Sequence, residues 1–357
     1  MKRITLKGDE KILIVRTDGM GDVILSIPTL ELIKSNYPDC HLAMLVSPYT
    51  VPLLENNPYL DEVLTDDKND KHKGIRGFLV LAGLLRDRKF DIAVALHPSW
   101  RVAILLILAR IKYRVGTGYR FYSFFFNLKL FQHRKDIQKH ELEYNLDMLG
   151  PLSINPEKIL PKVYLSTQEK EKGNVLLEKL GIKSDNLLVV VHAGSRNSSL
   201  NFPPEKFAQV ADELVEKEGV NVVLTGSIGE SSLVKSAKNR MKQNSINLVG
   251  KLGLRELAIL LKRADLMIAN STGPMHLAVA IGTPVVAIFC PIFVASPKRW
   301  GPYGENNQVV LPPVPICQKC KPKRCRYYNC MDKVDTEEVY LKAKSLLNWK
   351  KKLEEKG

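Results

Sequence analysis

A chain of 357 residues, 45% hydrophobic and 25% charged, has the composition of a folded globular protein, which excludes a disordered or low-complexity polypeptide. That length is more than one core comfortably fills and suits two domains. Lys and Arg number 53 against 38 Asp and Glu, a net charge of +15 that points either to an anionic partner (nucleic acid, a phosphorylated small molecule or an acidic membrane surface) or to a merely solubilising surface.

The amino terminus, "MKRITLKGDEKILIV", has too short an apolar run, and no small-residue cleavage site, for a secretory signal. The longest membrane-like run, "VAILLILA" (102–109), is far below the roughly 20 residues that span a bilayer. The expectation is a cytoplasmic protein, at most peripheral on the inner membrane. In chain order, strands are predicted at 11–15, 41–46, 61–65, 91–96 and 113–117, with helices at 25–36, 48–56, 74–88, 101–110 and 136–149. The pattern then repeats: strands at 186–193, 221–226, 246–250, 265–270 and 284–289, and helices at 204–218, 229–242, 254–263, 273–281 and about 335–349. Continuous apolar strands alternating with helices mean parallel sheets covered on both faces, an α/β class. The proline-bearing stretch "PLSINPEKILPKVYLS" from 151 marks the boundary between two such domains, and ligands of doubly wound sheets bind at the carboxyl ends of the strands.

The first strand opens into "RTDGMGDVILSIPTL" (16–30). This is not a dinucleotide fingerprint: Gly19 and Gly21 are followed by Ile24 where a third small residue belongs, and the second strand ends in Val46 and Ser47 without an acid for a ribose hydroxyl. The glycines let the chain turn sharply beside a ligand. Asp22, and with it Asp18, is then either a cap or turn residue or an acid presented for catalysis.

In the second half, "ANSTGPMHLAVAIGTPVVAIF" (269–289) ends a strand at Asn270 and starts a helix at Pro274 behind Ser271, Thr272 and Gly273. Free amides and the helix dipole at such a start suit a diphosphate. His276 on the first turn either faces the ligand or packs under the turn. "VVVHAGSRNSSLNFPPEKF" (189–207) repeats the logic with Ser195 and Arg196, the latter a phosphate partner or a solvated loop residue. "LTGSIGE" offers Glu230 to ribose hydroxyls. Further on, "CQKCKPKRCRYYNC" (317–330) places Cys317, Cys320, Cys325 and Cys330 in a lysine-rich connection away from the strand ends. A structural zinc, local disulfides, free thiols or a nucleic-acid-binding knuckle are the alternatives there, and a reducing cytoplasm disfavours disulfides. Cys40 and Cys290 lie in apolar surroundings and read as buried thiols.

These blocks together resemble glycosyltransferase family 9, the ADP-heptose:lipopolysaccharide heptosyltransferases. The turn ending "GD", the "HAGSR" stretch, "STGPMHLAVAIGTPVVAIF" and the cysteine tail occur in that family's order across about residues 11–345. The resemblance implies a GT-B fold, two Rossmann-like domains with parallel sheets facing a central cleft. Residues 1–165 would bind the acceptor, 166–334, with the cysteine cluster, would bind the nucleotide sugar, and 335–357 would form a helix crossing back toward the first domain. It implies an inverting transfer of heptose from ADP-heptose to an anionic lipid-linked saccharide at the inner-membrane surface. No cofactor is required for catalysis and no nucleic acid is expected. Asp22 falls on the family's catalytic base. Ser195, Arg196, Glu230, Ser271, Thr272, Gly273 and His276 fall on the donor side, and Asp18, Gly19, Gly21 and Arg101 on the acceptor side. Two positions depart from the family pattern: Ser271 stands where Asp is usual, and Leu200 where Lys often precedes the aromatic–proline pair. The alternatives are a GT-B enzyme using another nucleotide sugar, an epimerase of similar architecture, or a basic nucleic-acid-binding protein using the Cys/Lys segment.

Overall fold

The computed structural model describes residues 2–97, 99–183, 186–195, 200–320 and 325–354. They divide into two units, Met1–Tyr164 and Leu165–Gly357.

In the first unit, strands β1 (Lys11–Arg16), β2 (His41–Val46), β3 (Glu62–Thr65), β4 (Ile92–Ala95), β5 (Tyr113–Thr117) and β6 (Leu128–Leu130) form one sheet in the order β3-β2-β1-β4-β5-β6. Every pairing is parallel, with Ile12 opposite Leu42 on one side and Ile92 on the other. The sheet forms because both faces of its central strands are apolar: Ile12, Leu13, Ile14 and Val15 are all fully buried. Each such side chain contributes about 1.5–3 kcal/mol on burial. Helices Gly74–Asp87 and Trp100–Leu108 cover one face, where Leu81, Leu85, Val102 and Leu105 join Leu13, Val15 and Ala93 in a single cluster.

The second unit repeats the plan with β7 (Leu188–His192), β8 (Asn221–Thr225), β9 (Ile246–Asn247), β10 (Leu266–Asn270), β11 (Val285–Ile288) and β12 (Asn307–Val310), ordered β12-β11-β10-β7-β8-β9. Both sheets are therefore doubly wound. In each, the strand order reverses beside the first strand, between β1 and β4 and between β7 and β10. The C-terminal helix Thr336–Glu354, expected to cross toward the first domain, lays Val339, Ala343 and Leu347 into the second unit's own apolar cluster beside Phe207 and Leu214 of helix Pro204–Glu218. Its Tyr340 hydroxyl donates to Glu218 at 2.7 Å.

Some elements were not predicted, among them β6, β12 and a further helix. β6 and β12 are edge strands of three and four residues, too short for a period to register. Helix Thr167–Lys179 was hidden because only Gly173 and Leu177 along it are buried. Its start was legible as "STQE": the Ser166 amide donates to Glu169 at 2.8 Å, and the Glu169 amide returns a bond to the Ser166 hydroxyl at 3.3 Å. Arg255 then grips Glu169 and holds its carboxyl down to about 2, against the effect of burial. Among the described residues, no helix is long and apolar enough to cross a membrane.

Candidate active site

The first cluster lies where β1 and β4 end side by side, at the strand-order reversal. Arg16 closes the apolar strand β1 and is only 3% exposed, so its charge must be met by protein groups. Its Nε donates to Asp18 Oδ1 at 2.8 Å, and Nη2 donates to Asp22 Oδ1. Nη2 also lies 3.6 Å from Glu141 Oε1. Nη1 donates to Asn145 Oδ1 at 3.2 Å and to the Leu96 carbonyl, just past β4, at 3.4 Å. Glu141 and Asn145 stand one turn apart on helix Glu141–Asp147, and Arg134 donates to both. Asn145 in turn donates to the Leu25 carbonyl at 3.1 Å, locking the segment after Asp22 in place.

The chain folds this way locally because Gly19 makes room. A Cβ there would sit 3.0 Å from Asp22 Oδ2. Helix Met20–Ile24 begins earlier than predicted, with Gly19 as its N-cap and no side-chain cap bond. Asp22 is thus the third helical residue, inside the helix that also contains Gly21, and its carboxylate turns to Arg16. The capping reading of Asp22 fails on this geometry.

The two aspartates are driven apart electrostatically. Burial, with the like charges of Asp18 and Glu141, lifts the Asp22 carboxyl above the usual aspartate range despite Arg16. Burial opposes ionisation of Asp18 too, but Arg16 and the 2.8 Å contact of His97 Nδ1 with Asp18 Oδ2 outweigh it and hold that carboxyl low. Arg16 itself is held firmly cationic by its three carboxylates, although burial alone disfavours its charge. One ionised carboxylate beside one with raised proton affinity is an arrangement suited to acid–base chemistry.

Beside this cluster, at the ends of β4, β5 and β6, lies a cavity of about 320 Å³. Leu96, Tyr119, Arg120, His133, Arg134 and Lys135 are among its lining residues, so its wall is cationic and suited to an anionic ligand. Arg101, expected at an acceptor, is paired within its own unit. Its fork takes the buried Asp66 at 2.8 and 3.1 Å and stacks over Phe78. The sequence marks that charge but not the buried carboxylate that pairs with it.

In the second unit, three loops meet at the other strand-order reversal. Asn270, fully buried at the end of β10, donates to the Ala193 carbonyl beyond β7 at 2.6 Å and accepts from the Phe202 amide at 2.8 Å. Glu230, after β8, accepts from the amide and hydroxyl of Ser227 at 2.8 and 2.7 Å. Its Oε1 lies so close over Gly194 that a Cβ there would be 2.0 Å away. Ser195 follows, buried. Ser271 continues the β10–β11 ladder by donating its amide to Ile288, and Thr272 is the N-cap of helix Gly273–Ile281 without a side-chain cap bond. His276 is buried on that helix's first turn. Arg196 lies outside the described residues.

The four clustered cysteines lie nearer a strand end than expected. Cys317 pairs with Ile292 just past the end of β11, its amide and sulfur both donating to Pro291, so the segment reaches a strand end rather than lying away from one. Among the described residues, no three His, Cys, Asp or Glu side chains are gathered to hold a metal ion. All four are free thiols, and burial pushes those of Cys317 and Cys330 up. Cys40 and Cys290 are buried free thiols, as expected.

Sequence reasoning missed Arg16, His97, Arg134, Glu141 and Asn145. The available signals were a charge ending an otherwise buried strand and an acid–amide pair at helical spacing.

The profile of glycosyltransferase family 9 (heptosyltransferase) matches residues 79–331. The lipopolysaccharide heptosyltransferase 3 of Escherichia coli K12 is 29% identical over 294 residues, which are 80% of this chain and 83% of that protein. A solved glycosyl transferase family 9 protein from Veillonella parvula superposes with a TM-score of 0.87 at 24% identity, covering 97% of this chain and 99% of its own. The E. coli ADP-heptose lps heptosyltransferase II superposes at 0.78 with 20% identity, covering 96% and 99%. The architecture is that of the GT-B class, and the chain belongs to glycosyltransferase family 9.

Proposed function

We propose that this glycosyltransferase moves heptose from ADP-heptose to a lipopolysaccharide-core saccharide, with inversion at the anomeric carbon and Asp22 as general base. The observation that carries the reading is the Arg16–Asp18–Asp22 cluster, in which Asp22 has raised proton affinity while remaining 25% exposed to a ligand. Asp22 takes the proton of the acceptor hydroxyl. The freed oxygen bonds to the anomeric carbon as the bond from that carbon to the diphosphate breaks, and ADP leaves with the electron pair. Asp18, already ionised, serves to orient the acceptor and to keep Asp22 basic. The start of helix Gly273–Ile281 meets the diphosphate and stabilises its developing charge without a metal, while Glu230 and Ser195 border the nucleoside. Arg196 would add a cation to the diphosphate. The cationic cavity suits a phosphate or carboxylate on the acceptor, which the reading takes to be lipid-linked and presented at the inner membrane. The names of the relatives support donor and acceptor alike.

Calorimetry with a panel of nucleoside diphosphates and nucleotide sugars tests the donor, with tightest binding expected for ADP and ADP-heptose. A preference for uridine or guanosine nucleotides would sink the adenosine assignment. In the same assay, Gly273→Val is expected to weaken ADP binding by roughly tenfold or more, because branched methyls crowd a backbone that must approach the phosphates. Unchanged affinity in a folded variant would move the diphosphate elsewhere.

A further inference from the structure

The protein's positive charge is unevenly spread. Residues 71–135 contain fourteen Lys and Arg against two Asp and no Glu, a net +12 of the chain's +15. The same segment carries ten of the nineteen large apolar side chains exposed among the described residues.

Three neighbouring elements display them. Helix Gly74–Asp87 buries Leu81, Ala82 and Leu85 and turns out Ile75 (80% exposed), Leu79 and Val80. Helix Trp100–Leu108 buries Val102, Ala103, Leu105 and Leu106 and exposes Trp100, Ile107 and Leu108, spaced i, i+7, i+8 on one stripe. The 3₁₀ turn Phe121–Phe125 exposes Phe121 (83%) and Phe124 (67%), three residues apart and so eclipsed. The first helix packs on the second and the second on the turn, and their buried sides share one cluster against the same sheet face. Their outward sides therefore form one continuous surface. Lys71, Lys73, Arg76, Arg86, Arg110 and Lys112 are exposed among these apolar groups.

We propose that this surface docks the protein on an anionic phospholipid bilayer, with the aromatic and aliphatic side chains entering the interface and the cations meeting headgroups. Interfacial protein surfaces combine this apolar stripe with flanking Lys and Arg. Nucleic acid would use the charge but leaves Ile75, Leu79, Val80, Ile107 and Leu108 without a role. A second copy of the chain would bring +12 against +12. The inference rests on the proposed function only in where the reaction takes place, since the surface itself is read independently of donor and base.

Flotation of the full chain with phosphatidylcholine vesicles, with and without phosphatidylglycerol, tests it. Binding is expected to need phosphatidylglycerol and to weaken with salt. Phe121→Ser/Phe124→Ser and Lys73→Glu/Arg76→Glu are each expected to lower vesicle affinity roughly tenfold. Their melting temperatures, and their rate on a soluble delipidated acceptor, should stay those of the parent. Equal binding with and without phosphatidylglycerol, no vesicle binding, unaltered binding by both variants, or tighter binding to a DNA duplex than to anionic vesicles would each overturn the proposal. Loss of transfer to the soluble acceptor in the parent strikes the heptosyltransferase reading instead, and vesicle binding in that case still supports the docking surface.

Discussion

Asp22→Asn is expected to lower the rate of sugar transfer about 100- to 10,000-fold, the range for loss of a positioned proton acceptor. The amide matches the carboxylate in shape and can still accept from Arg16, so the cluster's geometry should survive. The stability effect separates this role from a structural one. Asp22 has its folded-state proton affinity raised above the unfolded value, chiefly by burial. The folded state therefore binds more protons across that window, and this group's contribution to stability declines as pH rises through it. Once ionised, Asp22 is a net cost to the fold, and a neutral Asn removes it. The melting temperature should be unchanged or higher, with ADP affinity near that of the parent. A lower melting temperature with near-normal turnover would show that Asp22 supports the fold and that another group takes the proton.

How far the site was legible follows from the range over which each signal acts. The two sheets could be read because strands such as "KILIV" and "NVVLT" are buried on both faces and carry the information in their own composition. The loops at Asp18–Asp22, Gly194–Ser195 and Ser271–Gly273 follow apolar strands directly, so their place at the strand ends came with the strands. What sequence could not supply was pairing at a distance. Arg16 meets Asn145, 129 residues away, and Arg101 is neutralised by Asp66, 35 residues earlier. Neither partner is marked locally. Cys317 reaches the end of β11 by pairing with Ile292, and no spacing rule for cysteines contains that contact. The docking surface was half-visible: "VAILLILA" stands out as an apolar run, but which of its side chains face outward depends on what the helix packs against.

Arg16→Met is expected to destabilise the first unit by about 3–5 kcal/mol, the usual consequence of removing one partner from a buried ionic cluster. It leaves Asp18, Asp22 and Glu141 facing one another without their shared cation, and Glu141, which Arg134 also contacts, is only 2% exposed. Chemical denaturation should report this as a lower midpoint. The surviving folded protein offers a sharper test through pH. Arg16 lowers the proton affinity of Asp22, and Asp18 raises it. If Asp22 is the base, transfer falls as pH drops through its pKa, so the acid limb of log kcat/KM marks that value. Removing Arg16 should move the limb to higher pH. Asp18→Asn, which deletes a like charge and leaves Arg16 to Asp22, should move it to lower pH. Because Asp18→Asn keeps the central cation, it provides the reading even where Arg16→Met does not fold. Two neighbours of one carboxylate shifting the limb in opposite directions would identify Asp22 as the titrating group. A limb that stays put in Asp18→Asn would mean that the pH dependence belongs to some other residue, and with it the role of base.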